Sequence, residues 1–510
     1  MRILKQVLII LLILRFIVLL MNVIARQGIK YSIIGYLGFL IGTLSSVFLF
    51  PHDYEFYGKL RYILPMAETF LPIVVFGISF SNVKFFFSAE KQGLNQSMLS
   101  LSLLAVVFNF IVFSGAFFLA CLLFPSLKAT QFWNMKYLIL PLLFLLSISS
   151  VLNKYISNYK RIAIPNIFEN LFPKIANMGA FSLFFFLGVP EYGALAFFLG
   201  VFVLSLAGYF WYNKKLTGFK WDFSTQFFRT NNTWKKFLEY SFYGFLGNIG
   251  NYIAIKIDNV MISEFLNFKL NGVYSNIYSI LQLIAVPAMG LYTIYAPLIN
   301  QCFEENDMAK LQASHQKTSL NLFCIGIILY TCLLAGFPFL GQMIKNGNEL
   351  LDHQYLLWIL GPAILFDLAT GFNGHIISMS KYFKFNIVVM LFLAFATVGL
   401  NLVFLRYTDL GIMGIALATA ISLTTFNIIK IIFNRIYFGV FPLSLKMLYM
   451  SLLCSGTILL IYYLPALPWA IIDFIYRPTL ALTIILLGNY ICKIYPTQQL
   501  IAPLLKKLKR

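Results

Sequence analysis

Three features of this 510-residue sequence predict an all-α polytopic membrane protein with about 14 transmembrane helices: two parallel-repeat six-helix lobes and a C-terminal helix pair. First, 60% of the residues are hydrophobic and 11% are charged, too little polar surface for a soluble globule. Second, the apolar residues come in long runs. Roughly 20 such residues cross a bilayer as a helix, which satisfies its own backbone groups where lipid offers no partners; barrel strands would alternate over about ten residues. Third, KYSIIGYLG (30–38) returns 209 positions later as EYSFYGFLG (239–247).

The elements follow in order. An apolar extension occupies 1–25, and VLIILLILRFIVLLMNV (7–23) is apolar enough to insert. It carries Arg15 near its middle, lacks the small-residue cleavage site of a signal peptide, and as a crossing would put Arg2 and Lys5 outside. Two readings stay open: a start at Met21, giving the basic opening MNVIARQGIKYS, or an interfacial helix. The first lobe, 26–213, holds runs at 29–50, 62–86, 97–124, 136–157, 162–187 and 192–212. A cytoplasmic linker, 214–236, is the longest connection, so no soluble domain hangs from either face. The second lobe, 237–437, repeats the plan at 237–262, 270–299, 319–344, 354–379, 383–405 and 410–434. Runs at 444–464 and 474–494 make the extra pair (438–495), and a basic cytoplasmic tail (496–510) follows.

Further anchors support the repeat. Tyr57-Gly58 recurs as Asn271-Gly272, Pro72 as Pro287, and GALAFFLG (193–200) as GIALATAIS (414–422), at offsets of 214, 215 and 221. Six crossings separate the copies, so both run in the same direction and the repeats are parallel. Glycines 35, 38 and 42, and 244, 247 and 250, lie on one helix face in each copy, where missing side chains let backbones approach. Two similar lobes that open alternately to either face would suit a transporter.

The formal net charge of +20 fits this topology rather than nucleic acid. With the first lobe entering from the cytoplasm, cytoplasmic loops and tail hold 25 of the 38 Lys and Arg, Lys430 among them, and the opposite loops hold eight. That is the positive-inside bias, with both termini cytoplasmic. Six cysteines stand singly in or beside apolar runs, without metal spacing. No phosphate-binding loop, hydrolase elbow or metal-ligand motif is present; no cofactor, metal or enzymatic chemistry is expected.

Ionisable groups inside spans cost about 2.5–3.5 kcal/mol on insertion scales and usually face a cavity or a partner. Here they are Glu68, Glu169, Lys174, Glu239, Lys256, Asp258, Asp367 and His375. Helical rise places Lys174 and Asp367 near mid-membrane, and Glu68 and Lys256 in the outer third. A Glu68–Lys256 pair across the lobes would form an outer gate; a fixed Lys256–Asp258 pair is the structural alternative. Prolines 65, 72, 165, 173 and 287 mark bends, movable or static.

Particular stretches carry a resemblance: RQGIKYSIIGYLGFLIG (26–42), FGISFSNVKFFF (76–87), KIDNVMISEF (256–265), GVYSNIYSI (272–280), APLINQCF (296–303), ISMSKYFKFNIVVMLFLAFATVGLN (377–401) and GIMGIALATAISL (411–423). Together the sequence resembles the polysaccharide-biosynthesis flippases, the O-antigen-unit and capsule-unit translocases, of the multidrug/oligosaccharidyl-lipid/polysaccharide exporter superfamily. The resemblance implies a fold like that of the superfamily's multidrug transporters. It also implies movement of an undecaprenyl-diphosphate-linked oligosaccharide across the bacterial inner membrane by alternating access, driven by an ion gradient or the membrane potential. The implied partners are that lipid-linked substrate, membrane lipids and other glycan-assembly proteins. A diphosphate needs cations, and Lys174, Lys256, Arg26 and Lys30 are available for it; Glu68, Asp367, Asp258 and Glu169 are left for ion coupling or gating. A multidrug/cation antiporter of the same superfamily is the rival reading. A membrane-embedded glycan polymerase or ligase fits less well, because the outer loops are short.

Overall fold

All fourteen predicted runs fold as helix in the computed structural model, which describes residues 23–229 and 232–495 without the side chains of 23–26, 29, 289–294 and 296. The extension up to residue 22 and the tail 496–510 lie outside the described residues. We label the helices of seven or more residues α1 Val23–Phe48, α2 Tyr54–Val75, α3 Ile78–Lys91, α4 Asn95–Leu123, α5 Lys136–Ser157, α6 Phe172–Phe185, α7 Glu191–Thr217, α8 Thr233–Phe265, α9 Phe268–Leu281, α10 Val286–Glu304, α11 Met308–Met343, α12 Tyr355–Ala369, α13 Asn373–Met379, α14 Phe383–Tyr407, α15 Ile412–Phe438, α16 Leu445–Tyr462 and α17 Ala470–Cys492. Among the described residues there is no strand.

By length and apolarity alone, nine helices among the described residues qualify as membrane spans, and eleven if the bent pairs α2–α3 (47°) and α12–α13 (48°) each count as one. The other three predicted runs are helical but fall short for visible reasons. A π-helical turn, Ile167–Leu171, interrupts the run ahead of α6. Six charged residues dilute α8, and a 3₁₀ segment, Gln282–Ala285, separates α9 from α10.

The chain divides into two compact units. One comprises the residues up to Ser45 together with Ile63–Tyr252; the other comprises Ser46–Tyr62 together with the residues from Ile253 onwards. The boundaries fall inside α1, α2 and α8. In the first unit α5 packs on α3, α4 and α7, and α7 packs on α6. In the second, the long α11 packs on α10, α12, α16 and α17, and α15 on α12 and α14. The apolar core of the second unit includes Leu322, Ile327, Leu356, Leu360, Ile415, Met450 and Ile485.

Within the second unit the repeat anchors meet. A Cβ on Gly58 would fall 1.7 Å from the carbonyl oxygen of Phe268, and one on Gly272 would fall 2.0 Å from that of Tyr54. Gly58 and Gly272 are 214 residues apart, and so are Tyr54 and Phe268, so the contact maps onto itself when the copies are exchanged. Such reciprocity is the mark of a local two-fold relation. Asn271 Nδ2 adds a hydrogen bond to Gly58 O (3.0 Å).

The bend between α2 and α3 has a backbone cause. Phe76 and Gly77 both take positive φ, 48° and 68°, and a Cβ on Gly77 would lie 2.0 Å from Ser241 O of α8. Only glycine fits both the left-handed conformation and that approach. Gly244, in the second copy of the repeated stretch, packs against Phe80 from the other side. Pro65 and Pro72 lie inside α2, whereas Pro173 closely follows the π turn and Pro287 the 3₁₀ segment, so their missing N–H groups fall where the helical winding changes.

Candidate functional site

The polar side chains inside the apolar helices gather separately in each unit. In the first unit they surround the π-helical turn. Glu169, within it, is exposed, and its carboxylate accepts a hydrogen bond from Asn153 Nδ2 of α5 (2.8 Å). Asn166 Nδ2 donates to Tyr31 O of α1 (2.8 Å), and Asn170 Nδ2 donates to Asn166 Oδ1. Helix α1 comes close because its side chains are missing there. A Cβ at Gly38 would sit 3.3 Å from Asn170 O, and one at Gly42 would sit 3.4–3.5 Å from Cε, Cδ and Nζ of Lys174. Lys174 therefore lies along the glycine face of α1, half-buried. Tyr252 stands within electrostatic range of both Glu68 and Glu169.

The second unit holds a deeper cluster. Asp258 of α8 is buried and accepts three hydrogen bonds: from Tyr274 Oη (2.7 Å), Thr419 Oγ1 (2.6 Å) and Asn401 Nδ2 (3.0 Å). These donors come from α9, α15 and α14, and all are neutral. Asn401 is fully buried, and its Oδ1 has no hydrogen-bond partner. Tyr278, stacked on Tyr274 with ring centroids 6.2 Å apart, is within electrostatic range of Asp258, Asp367 and Arg61.

One turn before the α12–α13 break, Asp367 accepts a hydrogen bond from Asn427 Nδ2 (2.9 Å) and faces the charge of Lys430. Lys430 is only 7% exposed; its Nζ sits 3.7 Å over the Phe426 ring and would touch a Cβ on Gly374 at 3.0 Å. Beyond it, His315 Nε2 pairs with Asn373 Oδ1 (3.1 Å), which also accepts from Asn434 Nδ2 (2.8 Å).

Of the eight candidates read from the sequence, Lys174, Glu169 and Glu68 lie in the first unit, with Glu169 inside the π turn and Lys174 three residues beyond it, and Asp258 and Asp367 lie in the second, both within range of Tyr278. Lys256 lies half-buried on α8 in the second unit, and Lys30 is exposed on α1. The side chain of Arg26 lies outside the described residues. Sequence reasoning missed Tyr274, Asn401, Thr419, Asn427 and Lys430, the last counted there among cytoplasmic charges. A signal for several of them existed: Thr419, Asn427, Lys430 and Asn434, at spacings of 8, 3 and 4, line one face of α15.

Solved structures of similar fold were found. A lipid II flippase, MurJ, in an inward closed conformation matches with a TM-score of 0.66 at 17% identity, over 92% of this chain and 100% of that one. An inward-facing multidrug resistance MATE family transporter of the MOP superfamily matches at 0.61 and 14% identity, over 81% and 98%; an outward-facing one matches at 0.54 and 15%, over 83% and 97%. This chain has the MATE-like fold of MOP transporters. It is a multi-pass membrane protein. No protein-family model and no curated protein matches it.

Proposed function

We propose that this protein is a flippase that moves undecaprenyl-diphosphate-linked oligosaccharide, of the O-antigen or capsule-unit kind, from the cytoplasmic to the periplasmic leaflet of a bacterial inner membrane. It has no enzymatic step. Two six-helix lobes, 26–213 and 237–437, alternate in exposing the substrate site, and both termini are cytoplasmic. The observation that carries the reading is Lys174, a half-buried amine beside Gly42 of α1, a cation among apolar helices of the kind that a diphosphate requires. Lys256 serves as a second cation, and Arg26 and Lys30 collect the headgroup at the entry side. The likeness to MurJ over 92% of the chain, against 81% for the MATE transporter, favours a lipid-linked substrate.

Asp258 takes the coupling cation. Its carboxylate, the unpartnered Asn401 Oδ1 and the Thr419 hydroxyl are oxygens held close together by three different helices, the ligand type that hard monovalent ions prefer. Asp367, Glu68 and Glu169 gate or tune the cycle. Moving one such charge across 100 mV is worth about 2.3 kcal/mol, enough to bias a two-state equilibrium almost fiftyfold.

Replacing Lys174 and Lys256 together by Gln tests the reading: glycan export from cells should collapse while the protein stays folded in the membrane. Full export by the folded double variant rules the diphosphate role out. A second reading, a multidrug/cation antiporter, draws on Glu68 and Glu169, both within electrostatic range of Tyr252; drug efflux in a sensitised strain, lost on Glu68→Gln, would replace the flippase reading.

A further inference from the structure

Helix α2 starts ahead of its apolar run, because Asp53 Oδ1 accepts a hydrogen bond from the Phe56 N–H (2.9 Å) and caps the first turn. Arg61, which the sequence counts among the charges of the opposite loops, therefore stands seven residues past the helix start at Tyr54, about 10 Å along the axis. The close approach of Gly58 to Phe268, with the hydrogen bond from Asn271 to Gly58 O, fixes α2 against the start of α9 one turn earlier. Arg61 thus has a set place in the second unit, half-buried and within electrostatic range of Tyr278 of α9.

Its guanidinium is uncompensated there. The Nε–H is sealed from solvent without a hydrogen-bond partner, and among the described residues no carboxylate forms an ion pair with Arg61. Asp258, also within range of Tyr278, takes its three hydrogen bonds from neutral donors instead, and Glu264 accepts one from Tyr62. A lysine in such a place can shed its proton, whereas an arginine keeps its charge. A charge that cannot be discharged, held partly out of water with no internal partner, calls for an anion. The terminal amino groups, unlike Nε, are not sealed. They form a planar fork that matches two oxygens of one phosphate. Tyr278, half-buried itself, has its hydroxyl hydrogen-bonded to the Gln282 side chain, so it brings no charge of its own against an anion.

We propose that Arg61 is a phosphate-binding residue of the second unit, its fork taking a phosphoryl group of the lipid-linked saccharide. The source of that phosphate rests on the flippase reading; the site does not depend on the roles given to Lys174 and Lys256.

Thermal unfolding of the purified full-length protein in neutral detergent tests it, with undecaprenyl diphosphate, undecaprenol and inorganic pyrophosphate as probes. Undecaprenyl diphosphate should raise the wild-type midpoint, half-saturating at roughly tenfold lower concentration than undecaprenol, as one charged hydrogen bond allows. In Arg61→Gln most of that advantage should disappear, and Arg61→Lys should keep part of it. Without ligand, Arg61→Gln should melt no lower than the wild type, since it removes an unpaired charge. A clear drop there assigns Arg61 to the fold and overturns the proposal. So does an undiminished advantage in the folded Arg61→Gln protein, an outcome that leaves the flippase reading to the Lys174→Gln/Lys256→Gln export test. Pyrophosphate separates the sources. If it stabilises the wild type but not Arg61→Gln while the lipid diphosphate stabilises neither, the phosphate site stands and the flippase reading falls; stabilisation of the wild type by neither phosphate probe overturns both.

Discussion

Replacing Asp258 by Asn separates its charge from its hydrogen bonds. The carboxylate receives two hydroxyls on Oδ2, from Tyr274 and Thr419, and one amide on Oδ1, from Asn401. An asparagine with its oxygen at the Oδ2 position keeps both hydroxyl bonds. Its amide then meets Asn401, which can turn its unpartnered Oδ1 to accept. All three contacts survive, and the stability change should stay within about 1 kcal/mol. Asp258→Ala instead orphans three buried donors. Hydrogen bonds between membrane helices average ~0.6 kcal/mol and reach ~1.7, so three of them amount to roughly 2–5 kcal/mol. Melting in detergent should therefore leave Asp258→Asn near wild type and lower Asp258→Ala clearly. Glycan export, with the coupling charge gone, should be lost in both. An Asp258→Asn protein that melts like the Ala variant would make the carboxylate structural, and one that exports normally would refute ion coupling at this residue.

Other outcomes follow from the same contacts. Gly272→Ala places a methyl 2.0 Å from Tyr54 O, and overpacking of this kind costs about 1–3 kcal/mol; with Gly58→Ala the penalties should be less than additive, because the two share one interface, and additive melting shifts would contradict the reciprocal contact. Lys174→Gln alone should lower export roughly tenfold or more, since a charged hydrogen bond is worth about 1.5–3 kcal/mol; Lys174→Arg should restore part of it, and no rescue would point to packing against Gly42 instead. Lys430→Met removes the cation whose charge Asp367 faces without a direct ion pair, so it should lower the melting temperature only modestly; adding Asp367→Asn should recover that loss in the same melting assay, and a loss that the second substitution deepens would contradict the coupling.

Long apolar runs made the helices legible, because lipid leaves the backbone no alternative. The repeat was legible in Tyr57-Gly58 and Asn271-Gly272, since a backbone contact as close as that between Gly58 and Phe268 tolerates only glycine and so leaves a mark in sequence. The π turn left none: IFENL reads as ordinary helix, and nothing in it marks the Asn153–Glu169 hydrogen bond beside the turn. Charged candidates stood out because charge is rare in such helices. Their neutral partners did not, because Asn401 and Thr419, which meet at Asp258, and Asn427, which meets Asp367, resemble many polar residues of an apolar helix until folding brings them to a carboxylate. Lys430 was hidden differently. Four residues from the expected end of its span, it counts with the cytoplasmic charges, but it is buried over the Phe426 ring and faces Asp367.

The most direct test of the account is leaflet exchange by the purified protein. Reconstituted in vesicles with an undecaprenyl-diphosphate-linked oligosaccharide, the wild type should accelerate transfer to the opposite leaflet in response to an imposed ion gradient or potential, and the folded Lys174→Gln/Lys256→Gln protein should not. Transfer no faster than in protein-free vesicles under every gradient, or equally fast with the double variant, would contradict it.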